Sequence, residues 1–251
     1  METRWDLKVR CLGHFHRGEV FEADRVATHA VEQHPDDGEL WQIHGLICAR
    51  LGDFEAACDA LETAAVLVPL NPAAQCALAE CHARAGRVDL ARGLYRGLVR
   101  RPDCPTGLLP SAASGLGRIG DNESALEACH ALARRDGRRH EAFFGIAYYM
   151  RLIGHDALEI LPAAARAHEL APDCPSYRTL YASLLSQVGR EGQARELLRG
   201  LRPDSVRCAG CLRRIMAILS RGDRADAAAL QSFQVQAARL AGAGGPCGED
   251  C

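Results

Sequence analysis

Small residues recur along the chain at fixed distances from a glycine that is followed by a charged or polar residue. The residue five places after this glycine is alanine in six of seven cases, and the residue seven places before it is small in six of seven. Small side chains let two helices approach closely, and glycine can close a helix with a positive φ. The pattern therefore predicts pairs of antiparallel helices, repeated about seven times. The glycines are Gly18, Gly52, Gly86, Gly120, Gly154, Gly189 and Gly222.

Proline and aspartate cluster between successive helix pairs, as in 34–38, 69–72, 102–105 and 172–175. These residues stop one helix and start the next. The clusters predict one domain over residues 1–241, followed by a Gly- and Cys-rich tail at 242–251. The predicted repeats are approximately 4–37, 38–71, 72–105, 106–139, 140–174, 175–207 and 208–241.

This pattern resembles the tetratricopeptide repeat (TPR) family over nearly the whole chain, with weaker agreement in the terminal repeats, as expected of caps. The resemblance implies an all-α fold: a right-handed α-solenoid of about seven antiparallel helical hairpins (a TPR-like superhelix). It also implies a non-catalytic scaffold or adaptor that binds a partner peptide or helix in its concave groove. The second repeat places Trp41, Gly45, Gly52, Ala57, Leu61, Ala64 and Pro69 at the family's tryptophan, small, glycine, alanine, bulky, alanine and proline positions.

The fifth repeat departs most from the pattern. Glu159 stands where the other repeats have alanine, and Pro162 falls within the predicted second helix. Proline in a helix interior removes a hydrogen bond and clashes with the preceding turn. Either this helix starts late, with Pro162 near its first turn, or it is kinked. Pro110 in the fourth repeat lies near a helix start, where proline is tolerated.

The resemblance implies that the first helix of each hairpin lines the groove, and basic residues recur at its groove positions. Arg50, Arg84 and Arg118 lie two residues before successive repeat glycines, and Arg151 is offset by one place. Guanidinium groups in such a stripe would suit carboxylates of an acidic peptide. The alternative is a solvated helix edge on which each arginine pairs with a local acid.

Aromatic residues crowd the first helix of the fifth repeat. Phe144 and Tyr148 are four residues apart and fall on the predicted groove side, where aromatic side chains often anchor partners. Phe143 and Ile146 are predicted to be core residues. The alternative is that the whole group serves packing alone.

Four cysteines near the end of the chain have spacings typical of metal ligands. Cys208 and Cys211 form C-x2-C, and Cys247 and Cys251 form C-x3-C. Four thiolates suit tetrahedral Zn²⁺, which would be a structural staple with no open position for catalysis. The alternatives are a redox-labile disulfide or no special role. A zinc-stapled or thiol-responsive TPR regulator is therefore the alternative to a plain scaffold.

Composition narrows the range of functions. Thirty basic residues stand against 32 acidic ones, for a net charge of −2, so neither nucleic acid nor an anionic membrane is indicated. The charged start, the lack of a long apolar run and the twelve cysteines predict a reduced, cytoplasmic protein. The histidines do not converge on a site, and His82 is taken as a packed or surface residue. No nucleotide-binding or hydrolase motif is present, so an enzyme is not predicted. Terminal hairpins could mediate self-association.

Overall fold

The computed structural model describes residues 2–222 and 224–242. Within these residues the chain forms fourteen α-helices and two 3-10 helices, Thr106–Leu108 and Pro203–Ser205, and no strand. The α-helices are α1 (Arg4–His16), α2 (Val20–Gln33), α3 (Gly38–Leu51), α4 (Phe54–Leu67), α5 (Pro72–Arg84), α6 (Val88–Arg100), α7 (Leu109–Arg118), α8 (Asn122–Arg135), α9 (His140–Leu152), α10 (Ala157–Leu170), α11 (Pro175–Gln187), α12 (Glu191–Leu198), α13 (Ala209–Leu219) and α14 (Arg224–Gly242).

Helices adjacent in the chain pack together, as α1 does with α2 and α3 with α4, and the described residues form two compact units that divide between Ala131 and Leu132, within α8. In the first unit, α2 packs on α3 and α4 on α5, while the first helices α1, α3, α5 and α7 also pack on one another in sequence. In the second, α10 packs on α11 and α12 on α13, and α11 also contacts α13. The predicted all-α fold built from helical hairpins is confirmed. The single-domain boundary at 1–241 stays a prediction.

Among the described residues, none of the helices combines the length and the apolar character that crossing a bilayer requires.

The repeat glycines close the first helices, as predicted. At six of the seven the backbone has a positive φ, between 72° and 88°. At Gly52, with φ 86°, the backbone N–H bonds to the last turn of α3 through Ala49 and Cys48. A residue with a Cβ would be strained in this left-handed conformation. The regular spacing of glycine in the sequence is therefore the spacing of these helix ends.

The turn clusters start the next helices through side-chain caps. Asp37 accepts hydrogen bonds from the backbone N–H groups of Glu39 and Leu40, at 3.1 and 3.2 Å, and so begins α3. Asn71 caps α5 in the same way, at 2.9 Å from the Ala74 nitrogen, and Pro72 is the first residue of that helix. These contacts satisfy N–H groups that have no partner within the helix.

The small residues of the repeat are buried where the paired helices meet. A Cβ added to Gly45 of α3 would lie 2.6 Å from the Leu61 side chain of α4. The Leu61 side chain therefore packs directly against the backbone of α3. The alanines five places after the glycine are fully buried at Ala23, Ala57, Ala91, Ala125 and Ala194. Most of the described cysteines are core residues as well, as the sequence predicted, with Cys11, Cys48, Cys58, Cys76, Cys81 and Cys129 all buried.

The fifth hairpin keeps a regular start to its second helix. The helix begins at Ala157, so the alternative in which it starts late, with Pro162 in its first turn, is wrong. Glu159 accepts a hydrogen bond from the Asp156 N–H at 3.3 Å and lies 2.9 Å from His155 Nδ1. The glutamate thus caps the helix start, which explains why alanine is absent at this repeat position. Pro110 lies in the first turn of α7, where it is tolerated.

Candidate functional site

The three arginines of the predicted stripe lie in the last turns of α3, α5 and α7, and all are exposed. A positive charge is favourable there because helix C-termini carry a partial negative charge. Arg84 Nε donates to Glu80 Oε1 at 2.7 Å, and Arg118 Nη2 donates to Glu80 Oε2. Arg50 makes no hydrogen bond or ion pair with a described residue. Arg84 and Arg118 therefore pair with an acid of the same unit, Glu80, as in the alternative to a free stripe.

Glu80 accepts hydrogen bonds from side chains on three helices, α5, α6 and α7. Tyr95, whose side chain is fully buried, donates its hydroxyl to Glu80 Oε2 at 3.0 Å. Burial raises the pKa of Glu80, but hydrogen bonds from Arg84, Tyr95 and Arg118, together with the charge of Arg118, outweigh it and hold that pKa below its usual value. Glu80 is therefore ionised at neutral pH and offsets part of the stripe's positive charge.

The predicted aromatic pair of the second unit lies partly in an interface between helices. Phe144 is half-buried, and its ring stacks on Tyr177 of α11 at a centroid distance of 4.6 Å. The Tyr148 ring also stacks on Phe144, at a centroid distance of 6.2 Å, and is half-buried as well. Ile146 is a core residue as predicted, while Phe143 is only half-buried and lies 5.9 Å beneath the Arg166 guanidinium. Phe144 thus packs, and Tyr148 extends the aromatic surface along α9.

Two arginines of the second unit lack hydrogen bonds at a buried nitrogen. The Nε atoms of Arg151 on α9 and Arg214 on α13 are buried and have no hydrogen-bond partner among the described residues. Arg214 Nη2 makes one long contact, 3.5 Å, to Cys211 Sγ, and the Arg151 guanidinium lies 5.7 Å from the Tyr148 ring centroid. Burial lowers the pKa of Arg151, and the positive charge of Arg214 lowers it further. The two guanidinium groups therefore form an electropositive site whose Nε–H donors have no acceptor among the described residues.

Arg151 was identified from its repeat position, but Arg214 was missed. It lies eight residues before Gly222, outside the groove positions carried over from the family, and in a poorly matching repeat. The only signal in the sequence is the basic pair Arg213-Arg214 within a predicted first helix.

The two described cysteines of the predicted zinc set lie together at the start of α13. Cys208 is the N-cap residue, and its Sγ accepts a hydrogen bond from the Cys211 N–H at 3.3 Å. Cys211 is buried. Cys247 and Cys251 lie outside the described residues, so the four-thiol site stays a prediction.

Two mixed clusters of ligating side chains in the first unit were not predicted. Asp24, His44 and Cys48 bring their ligating atoms within 4.8 Å of one another, and so do three further residues, Cys58, Glu62 and His82. The prediction that the histidines do not form a site stays untested by this proximity, and His82 is buried, in line with its prediction as a packed or surface residue. The repeat register held the signal, because Cys48 and His82 are 34 residues apart, as are Asp24 and Cys58.

The first hairpin exposes an apolar surface. Trp5 and Val9, one turn apart on α1, are 72% and 52% exposed. They border a shallow concavity together with Arg10 and Gly13. Self-association stays a prediction, and this surface is the place to test it.

Comparison with known proteins agrees with this architecture. Residues 44–105 match the family model described as tetratricopeptide repeat. A tetratricopeptide repeat protein from Parabacteroides merdae is 14% identical, with a TM-score of 0.66 over 96% of this chain and 93% of that chain. PilF of Pseudomonas aeruginosa is 18% identical, with a TM-score of 0.64 over 81% and 91%.

YrrB, described as a TPR protein with an unusual peptide-binding site, is 16% identical, with a TM-score of 0.57 over 68% of this chain and 88% of that chain. No curated protein sequence matches this chain. The resemblance to the tetratricopeptide repeat family is therefore confirmed: the chain carries the family's repeat at residues 44–105, and its hairpins have the family's fold.

Proposed function

We propose that this protein is a non-catalytic scaffold that binds a partner peptide or helix on the first helices of its hairpins. In the second unit, Arg151 and Arg214 receive an acidic group of that partner. The observation that carries the proposal is the buried Nε atom of each arginine, which has no hydrogen-bond partner among the described residues.

The energetic argument is that the free protein leaves these donors unused. A buried donor without an acceptor costs about 1–3 kcal/mol, and more when the group is charged. The like charge of Arg214 adds to the cost at Arg151. A carboxylate placed between the guanidinium groups would supply acceptors and neutralise the repulsion, in the two-pronged geometry that arginine favours.

The neighbouring aromatic side chains indicate what lies next to that carboxylate. Tyr148 is half-buried beside Arg151, and Phe144 continues the aromatic row toward α11. Exposed edges of aromatic rings are frequent anchors at protein interfaces. The partner is therefore proposed to place an apolar residue next to an acidic one.

The first unit offers weaker recognition of acidic groups. Glu80 already engages Arg84 and Arg118, so a partner carboxylate would have to displace it. Arg50 alone of the three is without a described partner. Peptide binding is described for YrrB, a protein of similar fold, and this supports a binding role for the hairpins in general.

The test is selection from a displayed library of random peptides on the full chain. Enrichment of sequences with Asp, Glu or a free carboxyl terminus next to an aromatic or aliphatic residue is expected. Arg151→Ala and Arg214→Ala should each weaken binding of a selected peptide by about 30-fold or more, as expected for losing a buried, hydrogen-bonded charge pair.

Arg166→Ala is the matched control, since Arg166 also lies in the second unit but is ion-paired with Glu169 on α10 at 3.0 Å. It should change peptide affinity by less than about 2.5-fold, which corresponds to the roughly 0.5 kcal/mol usual for a surface substitution. Each site variant should unfold at the same or a higher temperature than wild type, because it removes an unpaired buried charge. Selected peptides without acidic groups, or bound equally well by both site variants, would contradict the proposal.

A second candidate function rests on the cysteines at the start of α13. The 3.3 Å contact of Cys208 Sγ with the Cys211 N–H brings two of the four predicted ligands together. In this alternative a zinc staple or a disulfide regulates binding. Zinc content and thiol titration of wild type and of the Cys247→Ser, Cys251→Ser variant test it, and a metal-free wild type whose cysteines are all reactive on unfolding would exclude it.

A further inference from the structure

Two consecutive hairpin junctions of the first unit carry ligating residues at the same repeat positions. The first junction packs α2 on α3 and holds Asp24 and Cys48, and the second packs α4 on α5 and holds Cys58 and His82. Each residue of the second pair follows its counterpart by 34 positions. The two junctions therefore place different ligating side chains at equivalent positions, so the second can serve as a control for the first.

At the first junction the ligand atoms are spaced as a metal ion would require. His44 Nε2 lies 3.7 Å from Asp24 Oδ1, and Cys48 Sγ lies 3.8 Å from the same oxygen. Zinc bonds of about 2.0–2.3 Å at tetrahedral angles put neighbouring ligand atoms about 3.4–3.6 Å apart. His44 and Cys48 thus each need to approach Asp24 Oδ1 by only a few tenths of an ångström, and all three ligand atoms already lie within 4.8 Å of one another.

The same distances are too long for strong hydrogen bonds. A nitrogen–oxygen separation of 3.7 Å is outside hydrogen-bonding range, so Asp24 does not bond directly to His44. The Cys48 side chain is buried, and the His44 side chain is 15% exposed, whereas that of Asp24 is 37% exposed. Solvent therefore reaches the cluster from the aspartate side, where a metal ion would enter.

At the second junction the guanidinium group of Arg87 already supplies the positive charge that a metal ion would bring. Arg87 Nη2 lies 2.7 Å from Cys58 Sγ, and Arg87 Nη1 lies 2.9 Å from Glu62 Oε1. The residue one repeat before Arg87 is Asp53. The second cluster therefore contains its own counter-charge, whereas the first has a second carboxylate at that repeat position.

The charge around the first cluster favours a cation. The Asp24 carboxylate lies 3.7 Å from His44 Nε2 and 3.8 Å from Cys48 Sγ and would supply negative charge to a bound cation. The Asp53 backbone N–H donates to the Cys48 carbonyl at 3.0 Å, so two acidic residues adjoin Cys48. Among the described residues no basic side chain is bonded to His44 Nε2 or to Cys48 Sγ.

We propose that Asp24, His44 and Cys48 form a zinc site that joins α2 of the first hairpin to α3 of the second. One imidazole, one thiolate and one carboxylate are a donor set that Zn²⁺ accepts, with the fourth position left to water. Binding releases the thiol proton to solvent, and the bound metal ion links the two hairpins. This site is separate from the four cysteines near the end of the chain.

The surroundings of His44 Nδ1 set the expected affinity for zinc. When Nε2 binds the metal, Nδ1 of His44 carries the proton, and this buried atom has no acceptor among the described residues. Outer-shell partners of ligating histidines contribute about 10–100-fold to metal affinity. The site is therefore expected to bind zinc less tightly, by about that factor, than a site with a complete outer shell.

The test uses the full chain with Cys208, Cys247 and Cys251 changed to serine, so that the C-terminal set cannot contribute. Titration with Zn²⁺ should give one bound equivalent and a higher unfolding temperature. Titration with Co²⁺ should give the charge-transfer absorption of a thiolate–cobalt bond. Cys48→Ala and His44→Gln, each in this background, should weaken zinc binding more than about 100-fold, since a ligand contributes more than an outer-shell partner.

The matched controls are Cys58→Ala and His82→Gln at the second junction, which should leave zinc binding unchanged. Circular dichroism without metal checks that every variant is folded. The proposal is overturned if the variant with the three serine substitutions binds no zinc. It is also overturned if one equivalent of zinc still binds after both Cys48→Ala and His44→Gln. Arg87→Asp should create a second equivalent, and if it does not, the charge argument for choosing the first junction is wrong.

Discussion

The ring of Tyr95 on α6 occupies the space that a side chain at Gly115 on α7 would need. A Cβ added to Gly115 would lie 2.3 Å from Tyr95 Cζ, far inside contact distance. The same tyrosine donates its hydroxyl to Glu80 of α5 at 3.0 Å. The missing side chain at residue 115 thus lets one buried phenol join three helices of the first unit.

Gly115→Ala is therefore expected to destabilise the protein by about 1–3 kcal/mol, the usual cost of overpacking a well-packed core. Urea unfolding followed by circular dichroism measures it. Gly97→Ala is the control, because Gly97 lies inside α6 and a Cβ there meets nothing within 4 Å. That change should stabilise by about 0.5–1 kcal/mol, since alanine is the better helix former. Equal effects of the two substitutions would contradict the packing argument.

Asp37→Ala is expected to cost about 1–2 kcal/mol, because it removes the cap of α3 and the 2.9 Å contact with Lys8 Nζ. The neighbouring Asp36 provides the comparison. Its side chain is 67% exposed and pairs with Arg4, so Asp36→Ala should change the free energy of unfolding by less than about 0.5 kcal/mol. Similar values for the two variants in urea unfolding would show that the cap does not determine this helix start.

Glu159→Ala brings the fifth repeat into agreement with the alanine of the other repeats, yet it should destabilise by about 0.5–1 kcal/mol. The glutamate accepts the Asp156 N–H at 3.3 Å, and alanine cannot replace that contact. Thermal unfolding measures the effect. Glu169→Ala, near the other end of α10, serves as the control and should be near neutral. A stabilising effect of Glu159→Ala would mean that close approach of helices matters more here than capping.

His168 gives the second unit a stability that depends on pH. Its Nδ1 is buried without a hydrogen-bond partner among the described residues, and its pKa is lowered from 6.5, first by burial and then by Arg178, against an opposing effect of Glu169. The unfolded chain therefore takes up a proton at a higher pH than the folded one. The contribution to stability is complete above about pH 6.5 and is lost as the pH falls through the lowered pKa.

The measurement is the unfolding temperature between pH 7.5 and pH 5. Wild type should lose stability on acidification, and His168→Phe should lose less of it over the same range, because the variant has no imidazole to protonate. Equal slopes for the two proteins would show that His168 is not responsible for any part of the acid sensitivity.

The hairpins were predictable because glycine, small residues and turn clusters mark each of them locally. Gly52 and Asp37 could be interpreted from their neighbours alone. The contact of Arg118 with Glu80 could not, since the two residues are 38 positions apart and belong to different hairpins. Whether an arginine in the stripe is available to a partner depends on that distant acid and not on its own repeat position.

Arg214 shows a different limit. Its importance arises from the absence of an acceptor around its buried Nε, which is a property of the packed structure. Cys48 and His82, by contrast, could have been recognised by aligning the repeats on one another, because their equivalence needs only the 34-residue period. Comparing chemistry between repeats, as well as size, would have identified both junctions.

Buried cysteines lie on helices throughout the first unit: Cys11 on α1, Cys48 on α3, Cys58 on α4, Cys76 and Cys81 on α5, and Cys129 on α8. Burial raises the pKa of each of these thiols, to about 12 for Cys129. A thiol that is both covered and protonated reacts with an alkylating reagent only while its hairpin is transiently open. Timed alkylation of the metal-free protein, followed by mass spectrometry, would therefore record how often each hairpin opens, with the natural sequence supplying every reporter.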